Sequence, residues 1–195
     1  MFILIIFCLG AYTIGSLSSA VIVCRLAGLP DPRTSGSKNP GATNVLRLGS
    51  KKAAIATLLG DVIKGVIPVV IAMHLNPAAE FVGPVMLAAF LGHLYPVFFA
   101  FKGGKGVATA VGTLLAFYWP VGVLTIGTWG IVVYSFRYSS LGALVAALLA
   151  PVYTFWLLNI QCAIPVFMMS LFIFWRHREN IKRLLKGTET KIGKK

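Results

Sequence analysis

The sequence predicts an all-α fold, a polytopic membrane helix bundle of about seven transmembrane helices, and three observations predict it. Hydrophobic residues fill 57% of the 195 positions while only five side chains are acidic, too little polarity to cover a water-soluble domain. The apolar residues come in long runs, most of them near the ~20 residues a helix needs to cross the hydrocarbon core. The basic residues fall almost entirely between those runs, as they do in the cytoplasmic loops of multi-pass proteins.

In chain order the candidate spans are Phe2 to Val23, Ala53 to His74, Phe81 to Phe101, Val107 to Trp119, Val121 to Phe136, Leu141 to Leu158 and Ile160 to Trp175. The first lacks a positive n-region, and its first basic residue, Arg25, follows the apolar stretch. It therefore reads as a retained span with the N-terminus outside, not as a secretion signal. The fourth and fifth are short and separated only by Pro120, so a tilted, shallow or hairpin arrangement stays open there. With the N-terminus outside, the inside segments are 25–52, 102–105, Arg137 and 176–195. They hold 17 of the 18 lysines and arginines, Lys64 being the exception. Merging the fourth and fifth spans would carry Arg137 and the basic tail outside, so separate spans and a cytoplasmic C-terminus fit better. Without repeats, low-complexity stretches or a soluble appendage, residues 1–195 read as one integral membrane domain.

A net charge of +13 would suggest nucleic acid in a soluble protein, but here the charges punctuate apolar runs. Anionic lipid or an anionic substrate is expected, no nucleic acid, and no obligatory protein partner. Cys8, Cys24 and Cys162 have no paired spacing, and no carboxylate cluster is set for a divalent ion. No disulfide, metal or other cofactor is expected.

The first inside loop reads DPRTSGSKNPGATNVLRLG from Asp31 to Gly49. Gly36 and Gly41 let the backbone turn and approach a ligand, so its N–H groups can form an anion-binding concavity. Ser35, Ser37, Asn39, Thr43 and Asn44 add donors, and Arg47 adds a planar charge. A plain polar turn between two spans is the alternative. In the next inside segment, FKGGKGVAT from Phe101 to Thr109, Lys102 and Lys105 bracket Gly103 and Gly104 where a hydrophobic helix begins. A helix N-terminus offers unpaired N–H groups and a positive dipole end, which suits a phosphate. Positive-inside topology explains the lysines but not Gly103, Gly104 and Gly106. Neither segment fits G-x-x-x-x-G-K-[ST], because Gly41 is followed by Ala42 and Thr43, and Lys105 by Gly106.

The last span ends in WRHRENIKRLLKG. A helix continuing inward would place His177, Asn180 and Leu184 on one face. His177 then reads either as an interfacial anchor or as part of a site, and the Tyr138–Ser140 turn faces the same compartment. Within the spans, Asp61 and Lys64 stand at i and i+3 and are expected to form a structural ion pair, since buried charges in lipid turn inward and pair. His93, in GHLYP, is expected to be a hydrogen-bonded core residue. No G-x-S-x-G elbow is present, and no histidine is followed by an aspartate four residues on, so any catalysis must rest on positioning and electrostatics.

Together GSKNPGATNVLR, DVIKG, GHLYPVFFAFKGGKGVAT, YSS and HRENIKRLL closely resemble the bacterial acyl-phosphate-dependent glycerol-3-phosphate acyltransferase family, in order and over nearly the whole chain. The resemblance implies transfer of a fatty acyl group from acyl phosphate, not acyl-CoA, to the sn-1 hydroxyl of glycerol 3-phosphate. The products are lysophosphatidic acid and inorganic phosphate, in the first acylation of phospholipid biosynthesis at the cytoplasmic face of the bacterial inner membrane. It implies phosphate binding by the loops at Ser37 to Arg47 and Lys102 to Gly106, with Arg47 and Lys105 as the main charge partners. It also implies that Ser140, His177 and Asn180 orient glycerol 3-phosphate, with His177 or the donor's own phosphate taking the hydroxyl proton. Lys38 departs from the small residue the family often carries there, which leaves its own role undefined. A transport protein using Asp61, Lys64 and His93 is the competing class, but transport calls for polar groups near the outer face, where Glu80 is the one charge.

Overall fold

A computed structural model describes residues 1–193, and among these every regular element is a helix. α1 (Phe2–Gly15) and α2 (Ser19–Leu26) are two halves of one span. A polar loop leads to the short α3 (Ala42–Arg47), then α4 (Lys51–Leu75) and α5 (Ala79–Leu94). A 3-10 turn (Val97–Phe99) and the glycine-rich segment precede α6 (Val107–Phe117), and α7 (Trp119–Phe136), α8 (Ser139–Leu157), α9 (Ile160–Arg176) and α10 (Arg178–Leu185) follow. Pro68, Pro84, Pro151 and Pro165 lie inside helices, which neighbouring helices tolerate in lipid by satisfying the freed backbone groups.

Among the described residues, five segments are long and apolar enough to cross a membrane: Phe2–Leu26, Lys51–Leu75, Ala79–Phe99, Trp119–Phe136 and Ser139–Leu157. α9 and α10 would make a sixth span together, across a 59° bend. The helical membrane architecture is therefore as predicted, with two differences. α6 has 11 residues, about 16 Å at ~1.5 Å per residue, and is too short to cross alone a core ~30 Å thick. It stops because Tyr118 is extended (φ −154°, ψ 97°), and α7 then starts with Pro120 in its first turn. The last helix does not run straight past its span. It breaks at His177, which caps the end of α9 and the start of α10.

The chain divides into two compact units, Met1–Phe117 and a second that begins at Tyr118. In the first, α1 packs on α5 and α4 on α6, and both crossings are closed by reciprocal glycines. A Cβ on Gly15 would lie 2.1 Å from the Ala89 carbonyl oxygen, and one on Gly92 2.3 Å from that of Tyr12. Across α4 and α6, Cβ atoms on Gly65 and Gly112 would lie 2.4 and 2.2 Å from the carbonyl oxygens of Thr109 and Val62. α1 and α5 run in the same direction, since Phe7 packs against Phe81 (ring centroids 5.8 Å) eight residues before Gly15 meets Ala89, and both crossings set backbone against backbone, the close approach that small residues allow between helices in lipid. In the second unit α8 packs between α7 and α9. There Ser170 donates to the Ala147 carbonyl at 2.6 Å, and Gly142 admits Trp129 and Val133.

Burial follows the membrane pattern. Large apolar side chains such as Ile55, Leu59, Ile63 and Ile67 on α4 and Ile131 on α7 point outward. The interior holds alanines with Thr57, Asp61, Lys64, His93, Thr109 and Thr113. Lipid solvates the outside, so the polar groups that shape a site are kept within the helices.

Candidate functional site

The first polar loop is tied down by its own residues. The Asp31 carboxylate accepts from the Arg33 backbone N–H at 2.8 Å and from the Arg33 guanidinium at 2.7 to 3.1 Å. The Arg33 hydrogen bonds hold the Asp31 carboxyl below its ordinary pKa. Asn44, on α3, is buried beneath the loop: its amide donates to the carbonyls of Pro32 and Ser35, and its oxygen accepts from the Ser37 N–H at 2.8 Å. Gly36 is left-handed (φ +61°), and a Cβ there would strike the Asn44 oxygen at 2.3 Å. Asn44 is thus occupied by the loop's backbone, and its geometry is that of a brace more than of a ligand donor. Ser35, Asn39, Gly41 and Thr43 are half-buried, Ser37 and Lys38 are exposed, and Arg47 is exposed at the end of α3.

The second loop closes over the end of α5. Ala100 and Phe101 are left-handed (φ 53° and 58°), the Lys102 N–H donates to Phe99, and the Gly104 N–H donates to the His93 carbonyl at 3.2 Å. A Cβ on Gly103 would lie 2.1 Å from the His93 carbonyl oxygen, one on Gly104 2.2 Å from His93 Nε2, and one on Gly106 (φ +86°) 2.2 Å from the Phe90 ring. The sequence assigns these glycines to a ligand's approach. The structure adds that packing against α5 requires them in any case. Lys102 is exposed and Lys105 half-buried, just before α6 begins.

The two loops meet. The Pro40 carbonyl lies 2.9 Å from where a Gly104 Cβ would be, and the Arg33 guanidinium sits 5.9 Å from the Phe99 ring centroid. Residues about 60 positions apart in sequence thus form one glycine-lined surface flanked by Arg33, Lys102 and Lys105. Behind it lies a buried charge cluster. Lys64 Nζ is 2.9 Å from Asp61 Oδ1 and donates to the Leu17 carbonyl at 2.7 Å, while His93 Nδ1 lies 3.5 Å from the same Asp61 oxygen.

In the second unit the polar centre is a carboxylate that sequence reasoning missed. Glu189 Oε1 accepts from Ser140 Oγ (2.8 Å) and Asn180 Nδ2 (2.7 Å), and Oε2 accepts from Arg183 Nε (2.7 Å). Burial alone would raise the Glu189 carboxyl, but the hydrogen bonds from Asn180, Ser140 and Arg183 outweigh it and hold the pKa below the ordinary value. Gly187 (φ +68°) makes the turn: its N–H donates to Leu184 and that of Thr188 to Arg183, the paired bonds of a Schellman C-cap. The tail then passes the turn between α7 and α8, where Ile192 N–H donates to the Arg137 carbonyl. The one signal in the sequence was a lone acid just past a helix-ending glycine. His177 Nδ1 is 2.8 Å from the Ile173 carbonyl, which can only accept, so Nδ1 carries a proton and a neutral ring has its lone pair on Nε2. Ser140, His177 and Asn180 are all buried in this unit.

Long apolar helices that keep a carboxylate cluster and an intramembrane ion pair inside define a multi-pass helical membrane protein. The profile of the family described as Glycerol-3-phosphate acyltransferase matches residues 5–187. A glycerol-3-phosphate acyltransferase of Methylococcus capsulatus is 58% identical over 186 residues, covering 95% of this chain and 94% of its own. One from Vibrio cholerae is 55% identical over 185 residues, covering 95% and 88%. The crystal structure of PlsY, an integral membrane glycerol 3-phosphate acyltransferase, superposes in its glycerol 3-phosphate form with a TM-score of 0.92 at 36% identity, covering 97% of this chain and 96% of that one. Its lysophosphatidic acid form gives a TM-score of 0.89 at 36% identity, covering 97% and 95%. The chain belongs to the glycerol-3-phosphate acyltransferase family and is an integral membrane enzyme of that class.

Proposed function

We propose that this chain, acting as one acyltransferase from end to end, transfers a fatty acyl group from acyl phosphate to the sn-1 hydroxyl of glycerol 3-phosphate. The products are lysophosphatidic acid and inorganic phosphate, and the reaction takes place at the cytoplasmic face of the bacterial inner membrane. The observation that carries the reading is the junction of the two glycine-rich loops, where the Pro40 carbonyl lies 2.9 Å from the place a Gly104 Cβ would take. Both substrates carry phosphate, and closely packed glycine-rich loops flanked by arginine and lysine suit that shared group. The glycerol 3-phosphate and lysophosphatidic acid forms of PlsY support the same acceptor and product here. The clustering of 17 of 18 lysines and arginines in alternate loops supports a cytoplasmic site, and a terminus on each side, N-terminus outside and C-terminus inside, calls for the short α6 to complete a seventh crossing together with the residues that flank it.

In this reading Arg47, Lys102 and Lys105 hold the phosphates, set around the loops at Ser35 to Thr43 and Gly103 to Gly104. Asn44 braces the first loop. Ser140, His177 and Asn180 orient the acceptor, with Glu189 fixing Ser140 and Asn180. The acceptor hydroxyl oxygen attacks the acyl carbonyl carbon, an ester bond forms, and the carbonyl–phosphate C–O bond breaks. Phosphate leaves with the electron pair and takes up the hydroxyl proton. An acyl phosphate is already a mixed anhydride, so backbone donors and lysine need only stabilise charge developing on the leaving phosphate. Proton uptake by the donor's own phosphate suits a site poor in bases, and His177 Nε2 is the alternative acceptor.

The test uses purified protein in detergent with a chelator present. Acyl phosphate and glycerol 3-phosphate are expected to give lysophosphatidic acid and inorganic phosphate in equal amounts, and acyl-CoA to give neither. Acylation from acyl-CoA at a comparable rate would refute the assigned donor.

A further inference from the structure

His93 stands between two features described separately so far, the buried Asp61–Lys64 pair and the second glycine-rich loop. Its backbone carbonyl accepts the Gly104 N–H at 3.2 Å, and its Nε2 lies beneath Gly104, 2.2 Å from where a Cβ would be. Its Nδ1 lies 3.5 Å from Asp61 Oδ1, which is also 2.9 Å from Lys64 Nζ. Lys64 in turn donates to the Leu17 carbonyl at the break between α1 and α2. All three side chains are at most 7% exposed. A planar ring whose one edge faces a buried carboxylate at 3.5 Å, with its other edge beneath a backbone that has no side chain, is a strut. It fixes the height of Gly104, and Lys105 follows directly.

We propose that His93 is a positioning residue for the anion loop: the Asp61–Lys64 pair backs its ring, and the ring sets the Gly103–Gly104 backbone at the height where the flanking lysines meet a phosphate group. The inference rests on the proposed phosphate-binding role of this loop and deepens it. The ligand chemistry is a phosphate monoester or acyl phosphate, and the kinetic arms of the test separate the two. An ion pair that served stability alone would have no need to meet the loop through an imidazole. A purely structural His93 and a positioning His93 therefore predict different results.

The two ring edges can be separated by substitution. In His93→Asn the amide falls near the Nδ1 position and can still face Asp61, but nothing remains beneath Gly104. In His93→Gln the longer amide reaches the Nε2 position. For each purified protein, KM for glycerol 3-phosphate, KM for acyl phosphate, kcat and melting temperature are measured, together with the stabilisation against heat given by inorganic phosphate. His93→Asn is expected to raise the KM of the substrate whose phosphate rests on this loop about tenfold. It should leave the other KM and kcat within about twofold and abolish phosphate stabilisation with little change in melting temperature. His93→Gln is expected to recover most of that affinity. Unchanged KM values and phosphate stabilisation in His93→Asn would overturn the proposal. So would a fall in melting temperature that accounts for the loss of activity, or a His93→Gln no better than His93→Asn. If acyl phosphate proves not to be the donor, the glycerol 3-phosphate and inorganic phosphate arms still decide the role of His93.

Discussion

In the unit that ends at Phe117 the surface assigned to substrate is backbone, with its charged side chains placed around and behind it. In the unit that begins at Tyr118 the polar centre is a single carboxylate that gathers side chains around itself. The first plan depends on having no Cβ at Gly36, Gly103 and Gly104 and on the brace supplied by Asn44. The second depends on Glu189, brought back from the tail by the turn at Gly187. Backbone donors survive every substitution except proline and are otherwise only displaced, whereas a side-chain cluster can be dismantled one partner at a time. The first unit should therefore fail through added bulk or lost charge, and the second through loss of one acceptor.

The sharpest way to break this contrast is to remove the cations. Arg47→Ala and Lys105→Ala are each expected to lower turnover about 10² to 10³-fold, as loss of a donor that stabilises developing charge does. Melting temperature in detergent should stay near wild type, and near-normal rates in both would dissolve the site. Gly104→Ala comes next. Its Cβ must displace either the His93 ring or the loop, and catalytic efficiency is expected to fall at least about tenfold, read from initial rates.

Glu189→Gln should act on stability. An amide cannot accept from all three donors, and a buried hydrogen-bonding group left without its partner costs about 1 to 3 kcal/mol, seen as a lower melting temperature. The sign with pH follows from the lowered Glu189 pKa. The contribution is complete above the ordinary carboxylate value near pH ~4.3 and is lost as pH falls through the lower, folded-state value. The variant should lose that slope. The smallest effect is expected for Arg33→Ala, whose partner Asp31 is about a third exposed, and a stability change under about 1 kcal/mol would fit a solvent-screened pair.

Much of this was legible before any coordinates. Hydropathy and the segregation of lysine and arginine give the helical membrane fold, and the glycines at 36, 103, 104 and 106 mark the loops. Three features were not legible. The break at His177 leaves no mark in hydropathy, because the residues on both sides favour helix. The shortness of α6 depends on the extended backbone at Tyr118 more than on the apolar run itself. Glu189 was missed because its partners Ser140 and Asn180 lie 49 and 9 residues away, and only the tail's return to the start of α8 brings them together. Asn44 was recognised as a loop residue, but its brace role depends on a reach back to Pro32 that no spacing rule specifies.

The most direct test of the central claim asks whether the loop surface opens to the cytoplasm and holds phosphate. In a chain with Cys8, Cys24 and Cys162 replaced by serine, Lys102→Cys is treated with a membrane-impermeant thiol reagent in sealed vesicles of known orientation. Rapid labelling in inverted vesicles, slowed by either phosphorylated substrate and absent in right-side-out vesicles, is the predicted result. Labelling from the outer side, or a rate that neither substrate alters, would contradict it.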